Sequence, residues 1–236
     1  MSFADQIVIV TGAAGNLGSA LARLLTARGA RVLGVDREAA LLDPARLGLA
    51  DASRYAAFAV TDLAEEGAAA AMAAEAQARF GRIDGLAHTV GGFDMASLAD
   101  QDAARWERML RMNLLTTAAA FRAVLPAMRA AGRGSLVAVG AGAAIRAPAG
   151  MAAYAGAKSA VHRLVESAAE ELKSEGIRAN AVLPSIIDTP QNRADMPGAD
   201  TSRWVTPAEV AAAVAFLLST EASGVTGALL PVVGRV

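Results

Sequence analysis

The chain has 236 residues, 54% of them hydrophobic and 19% charged, with a net charge of −1. This is ample material for a folded core, and it excludes a disordered chain, a polybasic nucleic-acid binder and a basic membrane-surface protein. With no cysteine there is no disulfide, no thiol chemistry and no zinc site of the cysteine type, and two histidines argue against a His-based site, so no metal is expected.

Short apolar runs alternate with helical patterns along the whole chain. Residues 6–11 read as a first strand, ending at Gly12, and 17–28 as a helix. Strands are expected at 31–36, 55–60, 83–90, 135–139, 177–183 and 229–233. Between them, 64–80 is an Ala-rich helix closed by Gly81, and 101–131 a long helix bent near Pro126. A further helix spans 149–175, and 207–219 is a helix with proline in its first turn. The segment 185–206 is left as a long irregular loop, of the kind that closes over a ligand. Continuous apolar strands between helices predict an α/β fold: a single doubly wound parallel sheet of about seven strands, with helices on both faces. No linker divides the chain, so 1–236 is one domain. No apolar run approaches a membrane span, and the first strand begins too early for a signal peptide, so a cytoplasmic location is expected.

Two places carry chemistry. The first is the turn after strand one, Thr11-Gly12-Ala13-Ala14-Gly15-Asn16-Leu17-Gly18. Glycines there let the backbone approach a pyrophosphate, and the following helix offers unpaired N–H groups. A purely structural turn is the alternative. Asp36 ends the second strand, where a carboxylate accepts from ribose hydroxyls and repels a 2′-phosphate. This favours NAD(H) over NADP(H), although Arg37 beside it could pair with such a phosphate. Asp62 could accept from the adenine amino group or cap a helix; the two roles are compatible.

The second place is Tyr154 and Lys158, four residues apart on one helix face. A phenol has a pKa of about 10, and a nearby cation favours its ionised form. The chain has only two lysines, Lys158 and Lys173, among 22 Lys and Arg, so an ammonium here is a departure from its habit.

Together with Leu63, Asn113, the stretch Asn180-Ala181-Val182-Leu183-Pro184 and Ile187-Asp188-Thr189-Pro190, these motifs resemble the short-chain dehydrogenase/reductase family over essentially the full chain. The resemblance implies a Rossmann-like sheet, a nicotinamide cofactor and NAD(P)-dependent oxidoreductase activity. It implies Tyr154 as proton donor or acceptor, with Lys158 holding the nicotinamide ribose and lowering the Tyr154 pKa. It implies that Asn113 holds a water in the proton relay. Gly12, Gly15, Asn16, Leu17, Gly18, Asp36, Arg37, Asp62, Leu63, Val90, Gly91, Pro184, Ile187 and Thr189 would join Tyr154 and Lys158 around the cofactor. Family helices matching 101–131 and 150–175 make subunit contacts, which implies a dimer or tetramer.

Three positions depart from the family pattern. Asn16 stands where a glycine is usual. His88-Thr89-Val90-Gly91 replaces Asn-Asn-Ala-Gly, with His88 read as a satisfied strand-end histidine against the alternative of a base. Ala141 occupies the position of the catalytic serine, thirteen residues before Tyr154. A weakened or non-catalytic NAD(H)-binding regulatory protein, a substrate that needs no such hydroxyl, and a donor from 185–206 are competing explanations. The stretch 140–204 resembles the dihydropteridine reductase subgroup, which also has alanine there and uses NADH. A conjugated cyclic substrate such as a quinonoid dihydropterin follows from that resemblance; an ordinary 3-oxoacyl-type carbonyl reductase is the alternative. Ala141, Phe93, Arg193 and Trp204 are the candidate substrate residues, Phe93 as a stacking face or buried loop aromatic, and Trp204 as a closing lid or loop anchor. His162 is assigned to helix packing or a subunit interface.

Overall fold

The seven apolar runs become seven strands in the computed structural model, which describes residues 1–236. They are β1 (Ile7–Thr11), β2 (Arg31–Asp36), β3 (Tyr55–Ala59), β4 (Gly85–His88), β5 (Gly134–Val139), β6 (Ile177–Pro184) and β7 (Leu229–Val232). All pair in parallel, in the order β3-β2-β1-β4-β5-β6-β7. The helices are α1 (Asn16–Ala27), α2 (Ala68–Phe80), α3 (Ala103–Met109), α4 (Thr116–Ala131), α5 (Ala152–Leu172), α6 (Pro190–Asp195) and α7 (Pro207–Leu218).

The central strands are mostly apolar because they face two helical layers, while the edge strands β3 and β7 are only half-buried. In β1, Val8 and Val10 pack with Leu21 and Leu25 of α1 and Val210 and Val214 of α7. Ile9 points the other way, into a core with Met72 of α2, Phe121 of α4 and Val161 of α5. Burying one such aliphatic side chain is worth about 1.5–3 kcal/mol. Strand order reverses between β1 and β4, and a crevice opens there at the carboxyl ends of the strands. No helix is long and apolar enough to cross a membrane.

The boundaries differ from the expected ones in instructive ways. α2 starts at Ala68, not residue 64, because Gly67 takes a left-handed conformation (φ 78°) at its N-cap. Asp62 therefore caps a separate turn, accepting from the Ala64 N–H at 2.8 Å, and is no helix N-cap. The long helix 101–131 is broken by a π-helical segment, Leu110–Leu115, while α4 runs on through Pro126. At the end of that segment the Thr116 and Thr117 hydroxyls donate to the Met112 and Asn113 carbonyls at 2.8 and 2.6 Å. Residues 185–206 are not irregular: they hold α6, a 3-10 turn at Thr201–Arg203 and a bridge between Ile187 and Val205.

Candidate active site

The turn after β1 is shaped by what it cannot hold. Gly12 has φ 69°, and a Cβ there would lie 2.8 Å from Thr89 Oγ1 and 3.1 Å from the Val90 nitrogen. A Cβ on Gly18 would fall 2.1 Å from the Gly12 carbonyl oxygen. Gly15 is the N-cap of α1, and exposed Asn16 opens its first turn, so the turn is preserved without the family glycine. The N–H groups of Asn16, Leu17 and Gly18 belong to that first turn and have no intrahelical acceptor. Asp36 is fixed to the same turn: its Oδ2 accepts from the Ala14 N–H at 2.9 Å, and its Oδ1 from the Arg37 N–H at 2.7 Å.

A cavity of about 720 Å³ opens at the switch point. Gly12, Gly15, Asp36, Arg37, Asp62, Leu63, Val90 and Gly91 line it, so much of the expected nucleotide set is brought together. Leu17 and Gly18 lie buried in α1 beneath the turn. Pro184 ends β6, Ile187 is half-buried, and Thr189 caps α6 by accepting from the Asn192 N–H at 3.2 Å.

At the other end of the crevice α5 presents Tyr154 and Lys158. The Tyr154 hydroxyl makes no hydrogen bond within the protein, and burial pushes its pKa up to about 12. Lys158 is 5% exposed and donates to the Val139 carbonyl at 2.7 Å; burial pushes its pKa down to about 8. The expected lowering of the phenol pKa by this lysine is therefore absent from the protein by itself, because desolvation dominates at Tyr154.

Asn113 is fully buried in the π segment. Its amide donates to the Gly92 and Met109 carbonyls at 3.1 and 3.0 Å, and its Oδ1 accepts from the Gly92 N–H at 3.2 Å. One Oδ1 lone pair remains for a water. A Cβ on Gly91 would lie 2.8 Å from that Oδ1 and 3.1 Å from Lys158 Nζ, so only glycine leaves this junction open.

His88 is a satisfied neutral histidine. Nδ1 pairs with Thr11 Oγ1 at 2.9 Å and Nε2 with Thr116 Oγ1 at 3.2 Å. Burial, reinforced by Lys158, pushes its pKa down to about 3. Ala141 is buried, and its N–H donates to His162 Nε2 at 3.4 Å. His162 thus packs directly under the position that lacks the serine. The 185–206 segment offers little in exchange. Ser185 donates to the Val233 carbonyl at 2.7 Å, Ser202 to Asp200 at 2.6 Å and Thr206 to Glu209 at 2.8 Å.

Two of the candidate substrate residues are engaged within their own segment. Arg193 is no free cation: its Nη2 meets Asp188 Oδ2 at 2.8 Å, and its Nε bonds the same carboxylate. Trp204 is 5% exposed, which fits the loop-anchor reading. Phe93 is no buried loop aromatic. It is 59% exposed, and its ring stands edge-on to Tyr154 with centroids 5.0 Å apart.

Some polar contacts escaped the sequence reading altogether. Arg111, two residues before Asn113, reaches across the cavity, where its Nε donates to Asp62 Oδ2 at 2.7 Å, and it also pairs with Glu65. Asp94 is gripped by Arg105 Nη1 at 2.8 and 2.7 Å and by Arg108. Gln101 Nε2 donates to the Ala96 and Gly150 carbonyls at 2.8 and 3.2 Å, while its Oε1 accepts from the Ala153 N–H at 2.8 Å. Only the polarity of these side chains is visible in sequence; their partners lie on other elements.

Comparison with known proteins agrees with this geometry. Residues 6–199 match the family model described as short chain dehydrogenase. The chain is 38% identical to a cis-4-hydroxycyclohexanecarboxylate dehydrogenase of Sinomonas cyclohexanicum, covering 99% of this chain and 97% of that one. It is 32% identical to a 3-alpha-(or 20-beta)-hydroxysteroid dehydrogenase of Mycobacterium bovis, covering 94% of this chain and 86% of that one. A crystal structure of NAD+-bound xylitol dehydrogenase superposes with a TM-score of 0.89 at 25% identity, over 99% of this chain and 100% of that chain. The chain belongs to the short-chain dehydrogenase family and is an oxidoreductase of that family.

Proposed function

We propose that the protein interconverts a secondary alcohol on an apolar ring and the corresponding ketone, with NAD(H) as cofactor. The observation that carries this reading is Tyr154: a phenol free of protein hydrogen bonds, one helical turn from a buried ammonium, at the end of the nucleotide crevice. The two relatives described above, named for a hydroxycyclohexane acid and a hydroxysteroid, support a ring alcohol.

The residues present fit a dinucleotide. The bare backbone at Gly12 leaves room where a side chain would clash, and the first turn of α1 offers N–H donors. Asp36, held at the end of β2, would accept from ribose hydroxyls and repel a 2′-phosphate, which supports NAD(H) over NADP(H). Arg37 has no side-chain partner and pulls the other way. Bound nicotinamide supplies or accepts the hydride. Tyr154 exchanges the proton with the substrate oxygen. Being protonated across the neutral range, the phenol suits the donor role in ketone reduction. Lys158 places a positive charge beside the crevice, and Asn113 fixes Gly92 and leaves one acceptor site for a relay water.

A second reading is favoured by Ala141. Reduction of a conjugated ring imine, as in a quinonoid dihydropterin, delivers charge to nitrogen and has less need of a hydroxyl facing a carbonyl oxygen. The test is NADH-linked reduction of 4-oxocyclohexanecarboxylate, a ketosteroid and a quinonoid dihydropterin, side by side. Turnover of the ring ketones that collapses in Tyr154→Phe supports the first reading. Turnover confined to the dihydropterin overturns it in favour of the second.

A further inference from the structure

Phe93 and Met95 sit in the loop after β4, and both are strongly exposed, at 59% and 60%. Exposed apolar side chains are common on protein surfaces, but Phe93 is not merely loose. Its ring stands at 77° to that of Tyr154, in an edge-to-face contact. The next residue, Asp94, is locked to α3. Arg105 Nη1 lies 2.8 Å from one Asp94 oxygen and 2.7 Å from the other, and Arg108 bonds the same carboxylate. The same loop is tied at its far end through Gln101 and through the Ala96 N–H, which donates to the Gly150 carbonyl at 2.9 Å. On the near side Gly92 exchanges hydrogen bonds with Asn113, so the loop is pinned before Phe93, between Phe93 and Met95, and after Met95.

We propose that Asp94 is a positioning residue for the reaction: its clamp to Arg105 and Arg108 sets the Phe93 ring against Tyr154, shielding the phenol and forming one wall of the substrate site. This role rests on the function proposed above, and it adds to it a device outside the Tyr154, Lys158 and Asn113 set. The clamp does not titrate in the neutral range. Burial alone would raise the Asp94 pKa, but hydrogen bonds and charge from Arg105 and Arg108 outweigh it and hold the carboxyl below its ordinary value. Lys158 lies one turn on along the same helix, and His88 and His162, which both feel its charge, are held below the ordinary histidine value, chiefly by burial. Lys158, at about 8, also titrates within a kinetic pH profile, so the tyrosinate titration below is what assigns a shift to Tyr154.

The experiment compares Asp94→Ala, Phe93→Ala, Phe93→Leu and the Asp94→Ala/Phe93→Ala double variant. Asp94→Ala and Phe93→Ala are expected to lower kcat at least about tenfold, as small misplacements of a reacting group do. The pH profile of alcohol oxidation should move towards lower pH as water reaches the phenol, while directly measured NAD+ affinity stays unchanged. Phe93→Leu should restore most of the rate, and the double variant should be no worse than Phe93→Ala. Unshifted profiles, or additive losses in the double variant, overturn the proposal. Phe93 is exposed, so its variants fold even where Asp94→Ala does not, and an unshifted Phe93→Ala profile alone is decisive. The chain has two tyrosines, so ultraviolet titration of tyrosinate with Tyr154→Phe as blank reads the same shielding without substrate. A wild-type enzyme inactive on every ring ketone sinks the proposed reaction, while an unchanged Tyr154 titration in Phe93→Ala sinks the positioning role.

Discussion

A phenol that bonds to nothing in its own protein is available to bond to something else, and Tyr154 is in that state. Replacing it with phenylalanine removes the proton and little else. Tyr154→Phe is expected to lose about 10²–10⁴ in kcat, the range for general acid–base catalysis. Cofactor affinity, measured by direct titration, should be retained. Ala141 is the complementary case. If the missing hydroxyl limits ketone reduction, Ala141→Ser gains rate, and a full oxyanion donor is worth about 2.7–4 kcal/mol. Steady-state kcat on a ring ketone checks this, and no gain means that the substrate does not require the donor. The pair Tyr154 and Lys158 was legible because both sit on one helix, where spacing alone sets proximity. The Asp94 clamp was not, because a loop aspartate meets arginines 11 and 14 residues on, and nothing local encodes that meeting. The packing role read for His162 fits its burial, but its partner, the Ala141 N–H just past β5, is not encoded locally.

At the scale of elements, the turn between β1 and α1 depends on close backbone approach. Gly18→Ala would drive a Cβ to within 2.1 Å of the Gly12 oxygen. Overpacking of this kind costs about 1–3 kcal/mol, so a lowered Tm with weakened NAD(H) binding is expected. Unchanged Tm and affinity would show that the turn relaxes freely. The π segment Leu110–Leu115 had no sequence signature that pattern reading could use. Apolar residues continue through it, and Pro126 drew attention to the wrong place. The cause lies in the tertiary contacts: Asn113 ties the segment to Gly92, and Arg111 ties it to Asp62. The strands, by contrast, were readable to within two residues at each end, since burial of the central ones on both faces favours apolar choices. α6 was missed because six mostly polar residues on the surface carry no period to read.

For the whole molecule, buried ionisable groups couple stability to pH. The folded pKa of His88, about 3, lies below its ordinary 6.5. The unfolded chain therefore binds more protons between those values, and stability falls as pH drops through that window. Lys158, at about 8 against an ordinary 10.5, makes stability rise as pH climbs across its own window. His88→Asn should flatten the acid side of a Tm-against-pH curve, and an unchanged slope would mean that other groups govern acid unfolding. The expected dimer or tetramer is open to light scattering. Leu115, 46% exposed just before α4, lies beside one of the helices expected to mate; a monomer at working concentration would contradict that expectation.

The most direct test of the account is NADH-linked reduction of a ring ketone by the wild type and by Tyr154→Phe, with NADH affinity measured on both. The account predicts turnover by the wild type, loss of turnover in the variant, and equal NADH binding. Turnover retained by Tyr154→Phe, or ring ketones ignored by a wild type that binds NADH, would contradict it.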